Sequence, residues 1–174
     1  MQPPQNLHAH DIAIWHTAHI NQVIERGDFS SLPQLGTPFA LARDERALAQ
    51  GVFRLYNFEA AGNGSYVHQN GFVFGTGAVG WVSTHHLHFA TPYKYFQWDF
   101  GSIHSMTLVG PGQVQFAGQS VDGPIAWILE SDWAELAFTI WARARHAQHP
   151  QFITAGWIPP GWHERAAHAG WQLS

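Results

Sequence analysis

The chain reads as an all-β domain with flanking helices: an antiparallel β-barrel of about seven strands, capped by a C-terminal amphipathic helix. Three observations predict it. Short aromatic and β-branched runs recur between turn residues from about residue 50 to 130. One apolar stripe at helical spacing follows them. A length of 174 residues with 45% hydrophobic content buries one core and leaves little room for a second. The expected divisions are a helical extension over 1–49 packed on the barrel, the barrel with its capping helix over 50–147, and a Trp/Pro-rich tail with a short helix over 148–174.

Taken in order, Asp11 to Arg26 places Ile12, Trp15, His19 and Val23 on one helical face with Ile20 and Ile24 beside it, and Gly27 suits a left-handed cap. Pro33 and Pro38 then forbid a continued helix. A second short helical stretch is expected over Arg43 to Gln50. From Gly51 to Glu59, Val52, Arg54, Tyr56 and Phe58 alternate with Phe53 and Leu55, which marks a strand. Gly62-Asn63-Gly64 is a turn signal, and the glycines of FGTGAVG separate Tyr66–Phe74 from Val79–Thr84. Thr84–His85 is a polar pivot into His86–Ala90, where Leu87 and Phe89 should point inward and His86 and His88 outward. Phe96, Trp98 and Phe100 alternate with Tyr95, Gln97 and Asp99. Gly110-Pro111-Gly112 turns Ile103–Val109 into Gln113–Ala117, and Asp122-Gly123-Pro124 leads to Ile125–Leu129.

Ser131 or Asp132 is the expected N-cap of the long helix, with Glu135 adding negative charge to its first turn. Trp133, Leu136, Ala137, Ile140, Trp141 and Ala144 fall at i, i+3, i+4, i+7, i+8 and i+11, one continuous apolar stripe. This helix should plug one mouth of the barrel. Past Pro159-Pro160 a final short helix is expected over His163 to Ala169.

Composition excludes several functions. Only 11% of residues are charged, the formal net charge is −4, and Lys94 is the one lysine. The arginines are scattered, so no patch exists to neutralise phosphates, and nucleic acid is excluded as a partner. The same scarcity argues against docking on anionic lipid by charge, leaving exposed aromatics as the remaining route to a membrane. The absence of cysteine excludes disulfides, thiolate metal sites and cysteine nucleophiles. MQPPQNLHAHD lacks the pattern of a signal peptide, and no run approaches 18 apolar residues; a cytoplasmic location is the expectation.

WVSTHHLHFA resembles the hydrophobic–Thr–x–x–Leu–x–Phe hairpin of the pleckstrin-homology superfold, most like its bacterial and GRAM-type members. FQWDFGSIHSMTLV is similar to the aromatic strand and isoleucine turn of those domains, and QVQFAG with IAWILESDWAELAFTIW to their last hairpin and capping helix. The resemblance spans about residues 50–145. It implies a binding or scaffold module for lipid headgroups, peptides or protein surfaces, and rarely an enzyme. Phosphoinositide-binding members bring several basic residues to the first two hairpins; here Arg54 and Lys94 are all the body offers, so no headgroup-contacting residue carries over. Separately, IERGDFSSLPQLGTPF resembles the Gly-x-Phe-x-x-Leu-Pro-x-x-Gly-x-Pro segment of a small domain in some J-domain-like proteins.

Thirteen histidines are the main source of candidate chemistry. His8, His10, His16 and His19 lie near Asp11, and His16 and His19, one turn apart, could chelate a metal ion from one helix face. The alternative is that histidine replaces lysine as a general polar surface residue. His86 and His88 project to one side of their strand near Tyr95 and Gln97, and these four form a candidate ligand-contacting patch; the alternative is a half-solvated outer sheet face. Asp44/Glu45 and Glu130/Asp132 read as solvated charges or caps. No serine sits in a Gly-x-Ser-x-Gly elbow, and GTGAVG and GPGQ lack the strand–loop–helix setting of a phosphate cradle. No catalytic residue and no cofactor are assigned. Trp157, Trp162 and Trp171 must be covered by their own chain or by a second subunit. The expected function is a non-catalytic binding or assembly module for a protein or apolar ligand, with self-association a possibility. The alternatives are a histidine-based metal-dependent enzyme and a peripheral membrane-associating domain.

Overall fold

A computed structural model describes residues 8–60, 66–72, 78–91, 95–120 and 123–170, with side chains described except at 57–60, 66–72, 120 and 123–125. The turns expected at 62–64, at 74–77 and at Asp122, the residues Val73, Phe74 and Lys94, and Trp171 lie outside these residues. Eight strands are described: β1 (Ala47–Ala60), β2 (Tyr66–Phe72), β3 (Ala78–Ser83), β4 (His86–Ala90), β5 (Tyr95–Asp99), β6 (Ile103–Gly110), β7 (Gln113–Ser120) and β8 (Gly123–Glu130). All pairings are antiparallel. Seven strands follow the order β5-β4-β3-β1-β8-β7-β6, and β2 pairs with the far half of β1. β1 is the shared element: Ala47–Phe53 pair with β3, while Arg54–Asn57 pair with β8.

The helical stretch expected at 43–50 is instead a turn followed by the start of β1. Its Ala and Leu residues favour helix in isolation, but Ala47 opposite Ser83 and Gln50 opposite Trp81 are captured by the ladder with β3. The expected barrel is also not closed. Among the described residues the outer strands β5 and β6 do not pair with each other. The short 3₁₀ turn Phe100–Ser102 joins them, and the Ile103 carbonyl accepts a hydrogen bond from the Trp141 indole at 2.9 Å.

Three further helices follow the sheet, and one precedes it: α1 (Ala9–Arg26), α2 (Ala134–Arg145), α3 (Pro150–Ile153) and α4 (Trp162–His168). α1 ends as its sequence predicts, with Gly27 at φ 73° closing the cap. α2 begins one or two residues later than expected. Its N-cap is Trp133 rather than Ser131 or Asp132, although the Ser131 hydroxyl accepts the Trp133 amide at 3.1 Å.

α2 is buried on every side from Ala134 to Ala142, not along one stripe. Leu136, Ile140 and Trp141 belong to one core with Phe53, Leu55, Phe89, Phe116 and Leu129 of the strands. The polar face is covered because α1 lies over it: Asn21 donates to Thr139 Oγ1 at 2.9 Å and accepts from Arg143 at 3.1 Å. α1 is rotated from the expected orientation: Ile20 and Val23 are buried as expected, but the rest of the buried face is different. Ile14, Thr17 and Asn21 are buried, and Ile12, Trp15 and His19 are half-buried. Thr17 hides its hydroxyl by donating to the Ala13 carbonyl at 2.8 Å.

Glu135 is buried in the same layer, where it accepts the Gly112 amide at 2.7 Å and His10 Nε2 at 3.0 Å. The hydrogen bond to Glu135 raises the His10 pKa above 6.5 against the opposing effect of burial; the charges of Glu135, Asp132 and Asp11 add to the rise. A raised pKa stabilises the fold fully below the unfolded value, and that contribution disappears as pH rises through the folded value. The stability gap between wild type and His10→Gln, from urea midpoints, is therefore expected to be larger at pH 6 than at pH 9. A gap independent of pH would contradict the pairing.

Candidate functional site

Two features stand out among the described residues, an apolar cleft and a polar side-chain cluster. The apolar one is a cleft of about 740 Å³ between α1, the 31–35 segment, the first half of β1 and the start of α2. Trp15, Ile20, Leu32, Leu48 and Trp133 are among the residues that line it. The local sequence explains its shape. Gly51 has no side chain, and a Cβ there would lie 2.7 Å from Trp133 Cδ1, so only glycine lets the indole lie against the strand. The indole N–H then donates to the Gln50 carbonyl at 3.0 Å. Val52 and Val79, 61% and 42% exposed, leave an apolar rim in solvent.

His16 and His19 both line this cleft. His19 stacks on Trp15 with ring centroids 5.9 Å apart, and His16 lies 6.2 Å from the Trp133 ring. Burial, helped by the charge of His19, lowers the His16 pKa and keeps that imidazole neutral at pH 7. Among the described residues no third metal-ligating side chain joins the pair. His10 is drawn away to Glu135.

The polar feature lies across the outer face of β3, β4 and β5. Strand alternation puts His86 and His88 on one face, and the register sets His88 opposite Gln97 and His86 opposite Asp99. His88, Tyr95 and Gln97 form a chain: His88 Nδ1 is 2.7 Å from the Tyr95 hydroxyl, which donates to Gln97 Oε1 at 3.3 Å. The four patch residues do meet, the His86 ring lying 5.3 Å from that of His88. Their face is half-solvated: Tyr95 is 43% exposed and Gln97 and Asp99 are exposed, while His88 is only 1% exposed. Phe39 covers His88, stacking on it at 4.2 Å and on Tyr95 at 5.0 Å.

Glu45 completes the cluster and corrects the reading of that carboxylate as a solvated charge. Its side chain is 2% exposed, and Oε1 lies 2.6 Å from His86 Nδ1 and 2.8 Å from His88 Nε2. Ser83 donates to the same oxygen at 2.6 Å, and the Ala42 amide donates to Oε2 at 3.1 Å. Burial alone would raise this carboxyl; the hydrogen bonds from Ser83, His86, Ala42 and His88 outweigh it and hold the pKa at about 2. Burial lowers the His88 pKa, against the pull of Glu45. Asp44, by contrast, is exposed as expected.

Sequence reasoning places Glu45 in a helical stretch over Arg43–Gln50 and so misses it; Phe39 and Ser83 carry no local signal that they meet it. With Ala47 paired to Ser83, simple register arithmetic brings Glu45 beside the Ser83–Thr84 turn. Backbone bonds lock this: the Arg46 amide donates to Thr84 Oγ1 at 3.1 Å and the Thr84 amide to the Arg46 carbonyl at 3.0 Å.

No protein-family model matches the chain, and no curated protein matches it. No helix among the described residues is long and apolar enough to cross a membrane.

Proposed function

We propose that the protein is a non-catalytic binding module of pleckstrin-homology-like, GRAM-type architecture, and that its cleft takes a small, largely apolar ligand with one hydrogen-bonding end. The cleft is the observation that carries this reading. Its volume of about 740 Å³ falls within the roughly 300–1,000 Å³ of small-molecule sites, which are mostly apolar with a few placed polar groups. The neutral His16 imidazole and His19 provide those polar groups beside Trp15 and Trp133. The rim valines give an apolar ligand more surface to cover. The long shared first strand and the helix after the last strand agree with the architecture.

Straight-chain alcohols of six to twelve carbons serve as the probe, titrated by calorimetry with tryptophan fluorescence as a second readout. One saturable site with a negative heat-capacity change is expected. Val52→Lys with Val79→Glu, an opposite-charge pair at exposed positions facing each other across β1 and β3, should weaken it at least tenfold with little change in melting temperature. Absence of saturation, or equal affinity in the double variant, would overturn the reading. Complex formation seen only as dimerisation on sizing would reassign the face to a second copy of the chain.

A further inference from the structure

We propose that Glu45, His86 and His88 form a binding site for a first-row divalent transition metal of the zinc class, which clasps the segment preceding β1 onto the outer face of β3–β5. Their ligand atoms all lie within 4.8 Å of one another, and among the described residues no other group of three does this. The site is separate from the cleft and does not depend on what the cleft binds.

The geometry is that of convergent ligands. Each imidazole turns one nitrogen toward the same Glu45 oxygen, His86 through Nδ1 and His88 through Nε2. The opposite nitrogen of each faces an oxygen: His86 Nε2 lies 3.6 Å from Asp99 Oδ2, and His88 Nδ1 lies 2.7 Å from the Tyr95 hydroxyl. Metal-bound histidines commonly have such outer partners, which fix the tautomer that points a lone pair at the ion. Tyr95 can play that part because its own proton is directed to Gln97. It can then accept from His88 Nδ1, and a cation would take the place of the proton that His88 Nε2 shares with the Glu45 carboxylate across 2.8 Å.

The donor set selects the ion. Two imidazoles and one carboxylate match zinc and its neighbours, whereas magnesium and calcium call for oxygen ligands. Ligand bonds of about 2.0–2.2 Å would need the carboxylate to withdraw from the two rings by well under an ångström. Ser83 donates to that same oxygen and the Ala42 amide to Oε2, so the carboxylate arrives already oriented. Phe39 shields His88, while His86 keeps 16% of its side chain in solvent and gives the ion a way in.

The test uses the full chain, stripped with chelator and titrated with Zn²⁺ by calorimetry, then with Co²⁺ by visible absorption. One equivalent is expected, with the affinity lowered at least tenfold in Glu45→Gln and in His86→Ala and unchanged in the His16→Ala/His19→Ala double variant. The cobalt bands should fade in the same two variants. Zinc should also raise the melting temperature of wild type and not of Glu45→Gln. Because thirteen histidines invite adventitious binding, the location matters as much as the stoichiometry. No binding, binding indifferent to both site variants, or binding lost with His16 and His19 would each overturn the proposal. If Glu45→Gln fails to fold by circular dichroism, His86→Ala decides alone, since that side chain lies at the edge of the cluster.

Discussion

Trp162→Ala is expected to lower the free energy of unfolding by about 3–5 kcal/mol, as for other large aromatic truncations in a packed core. The side chain is 1% exposed, and its indole N–H donates to the Asp11 backbone carbonyl at 3.0 Å. It thus joins the C-terminal tail to the first turn of α1, across almost the whole chain. Arg165 adds a two-pronged contact, Nε to Asp11 Oδ2 and Nη2 to Asp11 Oδ1, both at 2.9 Å. Asp11 is buried, so loosening α4 also strands a carboxylate. For a chain of this size the loss corresponds to a melting temperature lower by roughly 10 °C. A change under about 1 kcal/mol would mean that the tail does not dock as described.

Glu45→Ala should cost about 3 kcal/mol in the metal-free protein, since one substitution removes the acceptor for several buried donors at once. The Ser83 hydroxyl, the Ala42 amide and two imidazoles all use this carboxylate. Asp44→Ala, at an exposed neighbour, should change stability by less than about 0.5 kcal/mol. Denaturant unfolding of both variants provides the comparison; equal effects would contradict the buried role of Glu45.

Much of this architecture was legible in the sequence because strand alternation and helix periodicity act locally. Leu87 and Phe89 are both fully buried, as alternation requires, and Gly27 caps its helix in the left-handed region. What was hidden depends on partners far along the chain. Nothing local says that Ala47–Gln50 will be held by Trp81 and Ser83 rather than coil into a helix. Nor does the pattern of α2 reveal that α1 covers its polar face, where Glu135 and Thr139, both off the apolar stripe, are buried. The candidate site divides in the same way. His86, His88, Tyr95 and Gln97 follow from β4–β5 register alone, and the structure brings them together. Glu45 and Phe39 reach the same place only through a tertiary fold-back. For the cleft, His16 and His19 were singled out as a metal pair, yet their surroundings of Trp15, Leu48 and Trp133 make an apolar wall.

The most direct test of the binding reading is a backbone-and-indole NMR shift map of the ¹⁵N-labelled chain during titration with decanol. Saturating shifts confined to Trp15, His16, Leu48–Val52 and the Trp133 indole are the predicted result. Shifts spread over the surface, or gathered on the far strands β6 and β7, would contradict it.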